Sequence, residues 1–338
     1  MAENVADAAA LLEIISGHDA FDSTSLNKES YDFSGFLNDF AGENTINGNA
    51  LNINALNENA LNENALNENA LNGNALNINI SNKIATNEIK VDNISNINNL
   101  KGLKIGIPVD YLGDGLDDEI RESIYKTKEI LEKAGAIVSE FEMGMFKYSV
   151  PAYYIIACAE ASSNLERYDG VKYGLRAKDY SELHSMYKKS RSQGFGAEVK
   201  KRIMLGSFLL SSGYYDAYYI KALKTRELIK QCFENALNTY DCILLPVSPS
   251  TAPRLGESLK NPLKMYLSDV YNVSANLCGL PAIVFPAGES REGLPIGLQF
   301  IGRRFGEQEI LYAAATCEAA GRGPESKAAC EAHERGVV

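Results

Sequence analysis

The chain has 338 residues, of which 45% are hydrophobic and 23% charged, with a formal net charge of -11. Those proportions fit an ordinary globular chain with a sizeable core, and the acidic balance excludes one that grips a nucleic-acid backbone by bulk charge. No apolar run approaches the length that spans a bilayer, so no membrane association is expected.

The chain opens on a helical pattern, Ala2 to Ser16, with Val5, Ala8, Leu12 and Ile15 at helical spacing. Gly17 follows as its stop, because glycine accepts the left-handed conformation that helix ends favour. No basic segment precedes the apolar stretch, so it reads as a helix and not as a secretion signal. Residues 1–36 form the first of four segments.

Residues 37–100 are dominated by Asn. A five-residue unit repeats there, as in Asn54-Ala55-Leu56-Asn57-Glu58. A five-residue step rotates about 140° on a helix, so successive Leu build no face. On a strand the odd period throws successive Leu to opposite faces. The tract is expected to be a disordered, low-complexity insertion.

Residues 101–321 have the grammar of an α/β domain. Leu103 to Pro108 is a short buried strand. Asp117, Asp118 and Glu119 open a helix with acids in its first turn, where they suit its dipole. Ile120, Ile124 and Leu131 share its inner face and Gly135 ends it, with a strand from Ala136. A long helical middle is expected from Ser149 to Leu237. Strands follow at Asp241–Pro246, Ala282–Pro286 and Ile296–Ile301, the last two joined by a turn at Glu289–Gly293. A helix from Glu307 to Ala320 closes the segment. The polar tail, 322–338, is expected to fray.

The six cysteines are scattered without a Cys-x-x-Cys pair, which fits reduced thiols. The three histidines, His18, His184 and His333, sit at no ligand spacing, so no metal site is expected. Gly194-Phe195-Gly196 lacks the spacing and the Lys-Ser/Thr of a phosphate loop, and no strand precedes it. The Gly-Leu-Pro triplets at 279–281 and 293–295 read as structural. The Tyr-rich stretch Tyr214, Tyr215, Tyr218 and Tyr219 reads as packing and partner surface.

Three stretches carry a family resemblance. They are RSQGFGAEVKKRIMLGSFLLSSGYYDAYYIKA (191–222), PLKMYLSDVYNVSANLCGLPAIVFPAG (262–288) and GLPIGLQFIGRRF (293–305). GHDAFDSTS (17–25) and LKGLKIGIP (100–108) extend the match. The chain resembles the amidase signature family, and within it the A subunits of tRNA-dependent amidotransferases. The resemblance implies an α/β fold in which a mixed β-sheet is flanked by helices. It implies acyl transfer by a Ser nucleophile, a second relaying Ser, a Lys base and an oxyanion hole. In that branch, glutamine hydrolysis supplies ammonia. A B subunit uses it with ATP and Mg²⁺ to amidate Glu or Asp misacylated on tRNA, and a C subunit completes the complex. The expected location is the cytoplasm, with an organelle as the alternative.

The family's Lys and paired Ser lie upstream of the region matched here, and no Gly-Gly-Ser-Ser-like stretch occurs in the 338 residues. Ser162-Ser163 and Ser211-Ser212 fall in helical patterns and are not read as nucleophiles. No catalytic residue is assigned, and the chain alone is expected to be inactive. It needs no cofactor of its own.

Glutamine is a zwitterion, so its site needs a cation for the α-carboxylate and an anion for the α-ammonium. Arg suits the first, because its planar fork matches a carboxylate. The resemblance places these roles on Arg202 and Asp269, with Tyr153 lining the pocket. Taken alone, Arg202 reads equally as a surface charge beside Lys200 and Lys201, Asp269 as a cap, and Tyr153 as one of 18 tyrosines. Two other readings stay open: an amidase acting on small amides, and a non-catalytic binding or assembly fragment.

Overall fold

The computed structural model describes residues 2, 4–28, 30–41, 100–113, 115–256 and 268–321. The expectations of disorder in the Asn tract beyond residue 41 and of fraying in the tail lie outside these residues. In chain order the described elements begin with α1 (Val5–Ile15), α2 (Ser34–Ala41), β1 (Lys104–Pro108), α3 (Asp118–Lys133), β2 (Ile137–Phe141) and α4 (Phe146–Asn164). They continue with α5 (Leu183–Gly194), α6 (Ala197–Leu209), α7 (Lys221–Thr239), β3 (Cys242–Pro246), α8 (Val273–Cys278), β4 (Ala282–Glu289), β5 (Pro295–Gly302) and α9 (Glu307–Gly321). No described helix is long and apolar enough to cross a membrane. The chain divides into two compact units, Met1–Asn99 with Leu311–Val338, and Leu100–Ile310.

In the first unit, Asn4 caps α1 by accepting from the Asp7 N–H at 2.8 Å. The Ser16 N–H returns to the Leu12 carbonyl, and Gly17 takes φ 137°, which a β-carbon would disfavour. Val5 and Ala9 are the buried positions of α1, whereas Ile15, expected on the inner face, is 69% exposed in the last turn. Glu13 and Ser16 accept from the N–H groups of Phe33 and Tyr31, which holds the returning chain against α1. Phe36 meets Tyr312 of α9 edge-on at 5.1 Å, and the Tyr312 hydroxyl donates to Asp39. The Val5 N–H donates to Glu318 Oε2 at 3.0 Å, joining residues 313 apart in sequence.

The second unit holds a five-stranded mixed sheet in the order β2-β1-β3-β5-β4. β1 runs parallel to β2 (Lys104 opposite Ile137) and to β3 (Ile105 opposite Cys242). β5 pairs antiparallel with both β3 and β4. The central strands are apolar without alternation, as strands covered on both faces are: every residue of β3 is buried, as are Leu298, Phe300 and Ile301 of β5. Phe285 stacks on Phe300 at 5.0 Å. Gln299 is the polar exception, and its Nε2 donates to the carbonyls of Pro246 and Tyr271.

The inner face read for α3 is the one observed, since Ile120, Ile124 and Leu131 are all buried. Its Ser123 donates to the Ala287 carbonyl of β4 at 2.9 Å. The helical middle is not continuous. A loop spans 168–182, and α6 stops at Leu209 because a turn through Ser211, Ser212 and Gly213 intervenes, with Ser211 Oγ donating to the Phe208 carbonyl. The Ser211-Ser212 pair therefore lies in a turn and not in a helix. The Tyr-rich stretch winds as a π-helical turn, Tyr215–Ile220, before entering α7.

Candidate functional site

Three elements of the second unit converge on the candidate site. α4 supplies Tyr153 and Tyr154, α6 supplies Glu198 and Arg202, and the turn before α8 supplies Asp269. Asp110 fixes the start of α4 by accepting from the N–H groups of Met143 and Gly144 at 2.9 and 2.8 Å. Gly206 fixes how closely α6 approaches it. A β-carbon at Gly206 would stand 2.0 Å from the Cys158 carbonyl oxygen and 2.6 Å from Ser162 Cβ. Only glycine admits that crossing, one helical turn from Arg202.

Arg202 and Asp269 meet at one ring. The Arg202 guanidinium lies 5.7 Å from the centre of the Tyr154 ring, and the Tyr154 hydroxyl donates to Asp269 Oδ2 at 2.8 Å. Arg202 Nε donates to Glu198 Oε1 at 3.0 Å, one turn earlier on the same helix. Tyr153 stands edge-on to Tyr154 with centroids 5.2 Å apart. All four sequence positions are half-buried: Tyr153, Tyr154, Arg202 and Asp269.

The electrostatics follow from these contacts. The Glu198 hydrogen bond raises the Arg202 pKa, so the guanidinium stays charged at any physiological pH. Burial, then the bond to Asp269, pushes the Tyr154 phenol up, so it remains a proton donor. Burial likewise pushes up the neighbouring Cys158 thiol, which favours its neutral form. The arrangement thus places a cation near the Tyr154 ring and a carboxylate at its hydroxyl.

The three residues expected from sequence are brought together. Asp269 does not use its side chain as a cap: its backbone carbonyl accepts from the Asn272 and Val273 N–H groups, while the carboxylate turns to Tyr154. Two members were missed. Glu198 was visible as an acid four residues before Arg202, the spacing of an intrahelical ion pair. Tyr154 was hidden by its neighbour, since sequence does not tell which of two adjacent tyrosines points at the charges.

Among the described residues, no group of three or more His, Cys, Asp or Glu is arranged to hold a metal ion. A cleft of about 630 Å³ lies elsewhere, at the start of α3 and the β4–β5 turn, lined by Asp117, Arg121, Tyr125, Thr251 and Arg291. Both of its arginines are paired within it, Arg121 with Asp118 and Arg291 with Glu119 at 3.3 Å, and the rest of its charged lining is acidic. Arg202 and Asp269 lie outside it.

A family model described as Amidase matches residues 62–311. The chain belongs to the amidase signature family. Its relatives include proteins named as the A subunit of glutamyl-tRNA(Gln) amidotransferase. One from Agathobacter rectalis is 60% identical over 222 residues, 66% of this chain and 44% of the relative. One from Persephonella marina is 43% identical over 310 residues, 92% of this chain and 52% of the relative. The crystal structure of the same subunit from Thermotoga maritima aligns with a TM-score of 0.56 at 32% identity, covering 92% of this chain and 50% of the other. A bacterial aryl acylamidase, 18% identical with a TM-score of 0.59, shares the fold. The chain spans about half the length of the curated relatives it matches. Within the amidase signature family, its resemblance is to the amidotransferase A subunits.

Proposed function

We propose that this chain carries the glutamine-recognition part of a tRNA-dependent amidotransferase A subunit. The observation that carries the reading is the meeting of Arg202 and Asp269 through Tyr154. Arg202 holds the α-carboxylate of glutamine, Asp269 its α-ammonium, and Tyr153 forms part of the pocket wall. The side-chain carboxamide then points away from both charges, toward the acyl-transfer groups. These 338 residues hold no Gly-Gly-Ser-Ser-like stretch, so the nucleophile, the relaying Ser and the Lys base belong to protein outside them, and the chain alone turns over no glutamine.

In the assembled enzyme, ammonia released from glutamine passes to a B subunit. That subunit uses ATP and Mg²⁺ to amidate Glu-tRNA(Gln) or Asp-tRNA(Asn), and a C subunit completes the complex. The names of the relatives support this role, which belongs to translation in the cytoplasm.

Ligand-observed NMR on the full chain tests the reading. L-glutamine is expected to bind, butyramide is not, and Arg202→Ala abolishes the difference. Binding of butyramide as strong as that of glutamine favours a hydrolase of simple amides. Binding of neither favours a non-catalytic assembly role. A glutaminase assay on the same sample is expected to give no ammonia, and clear turnover would overturn the assignment of the nucleophile to protein outside this chain.

A further inference from the structure

We infer that Tyr154 and Glu198 are positioning residues that set the spacing and orientation of the two ligand anchors, and so select α-amino acids over ligands bearing only one of the two charges. The inference rests on the glutamine reading above and concerns how the site enforces it.

The first observation is how Arg202 is held, compared with Arg121 and Arg191. Arg121 is tied by Nε to the Leu112 carbonyl and by Nη2 to those of Gly113 and Leu116. Arg191 is tied by Nη1 to the carbonyls of Leu165 and Tyr168. These side chains hold loops. Arg202 is held at Nε by Glu198, and among the described residues no hydrogen-bond acceptor meets its terminal Nη atoms. A guanidinium is planar, so fixing Nε fixes the plane. The end that remains is the two-pronged one, which matches a carboxylate. Glu198 therefore orients the fork without occupying it.

The second observation is the placement of Tyr154. Its ring lies within cation–π range of Arg202, and its hydroxyl holds one oxygen of Asp269. One rigid side chain with two torsions spans both anchors, and Tyr153 packs edge-on against it. Tyr154 takes Oδ2 of Asp269, so Oδ1 is the oxygen assigned to the ammonium. The distance between cation and anion is then set by a ring and by the α4–α6 crossing at Gly206, and not by flexible surface side chains.

Three ligands separate the two roles: L-glutamine, 4-carbamoylbutanoate, which lacks the ammonium, and 4-aminobutanamide, which lacks the carboxylate. Kd is read by ligand-observed NMR on the full chain, with circular dichroism to check folding. Tyr154→Phe keeps the ring and removes the hydroxyl. It is expected to weaken L-glutamine and 4-aminobutanamide about tenfold, the loss of one charge-assisted hydrogen bond, and to leave 4-carbamoylbutanoate within about twofold. Glu198→Ala is expected to weaken L-glutamine and 4-carbamoylbutanoate by about three- to tenfold and to spare 4-aminobutanamide, with Glu198→Gln restoring most of the loss because its amide oxygen still accepts from Nε. If Glu198 merely competes for Arg202, Glu198→Ala tightens carboxylate binding and the inference is wrong. If both variants weaken all three ligands alike, the residues are structural: the glutamine reading survives and the positioning roles do not. If the wild-type chain binds none of the three, the glutamine reading itself fails.

Discussion

The centre of the sheet and the α4–α6 pair put polar side chains to opposite uses. Gln299 in β5 is 2% exposed, and its amide is bound to two backbone carbonyls, at 2.8 and 3.2 Å. Arg202 in α6 is 36% exposed, held on one side by Glu198 and open on the other. A buried polar group satisfied by fixed internal partners is part of the framework, since leaving it unpaired would cost stability. A half-buried charge held in place but not saturated keeps its capacity for a ligand. The difference is the one expected between a framework residue and a member of the proposed site.

Three substitutions on the full chain, followed by denaturant unfolding and glutamine titration, can break or sharpen that contrast. Gly206→Ala sits where the two uses meet and is expected to have the largest effect. Its new methyl meets backbone and not a yielding side chain, so overpacking should cost about 3 kcal/mol. It should weaken glutamine as well, because separating α4 from α6 pulls Tyr154 from Arg202. Unchanged stability would show that the helices part easily. Gln299→Ala comes next. It orphans the carbonyls of Pro246 and Tyr271 and should cost about 2 kcal/mol, while the glutamine Kd of the folded fraction stays the same. A shift in Kd would mean that the sheet centre reports to the site. Arg202→Ala is expected to move stability least, by under about 0.5 kcal/mol for a partly exposed ion pair, while removing glutamine binding. A loss of several kcal/mol would make Arg202 a framework residue like Arg121.

Much of the fold was legible because its signals are local. The apolar run Cys242–Leu245 has the composition of a strand buried on both faces, and the acids at 117–119 mark a helix start. The break after Leu209 was harder to read. Ser211 and Ser212 are compatible with a helix, and the turn they make depends on Gly213 and on a side chain reaching back to the Phe208 carbonyl. The inner face of α1 was misread at Ile15, because periodicity counts apolar residues without knowing where the neighbouring element ends. At the site, Arg202 and Asp269 were reached only through the family resemblance. A mid-helix residue of α6 and a turn 67 residues later come together through packing that no spacing rule reports. Tyr154 emerged only once the side chains could be seen around Arg202, whereas the spacing of Glu198 was there to be read.

The bond from the Val5 N–H to Glu318 has a consequence in time. It joins residues 313 apart, so a ribosome adding roughly 5–20 residues per second makes α1 well before its partner. For roughly 16 to 63 s at that rate, the Val5–Ala9 face and Phe36 must wait without α9. α1 is thus synthesised long before it finds its place, and a chaperone that shelters its apolar face would act over that interval.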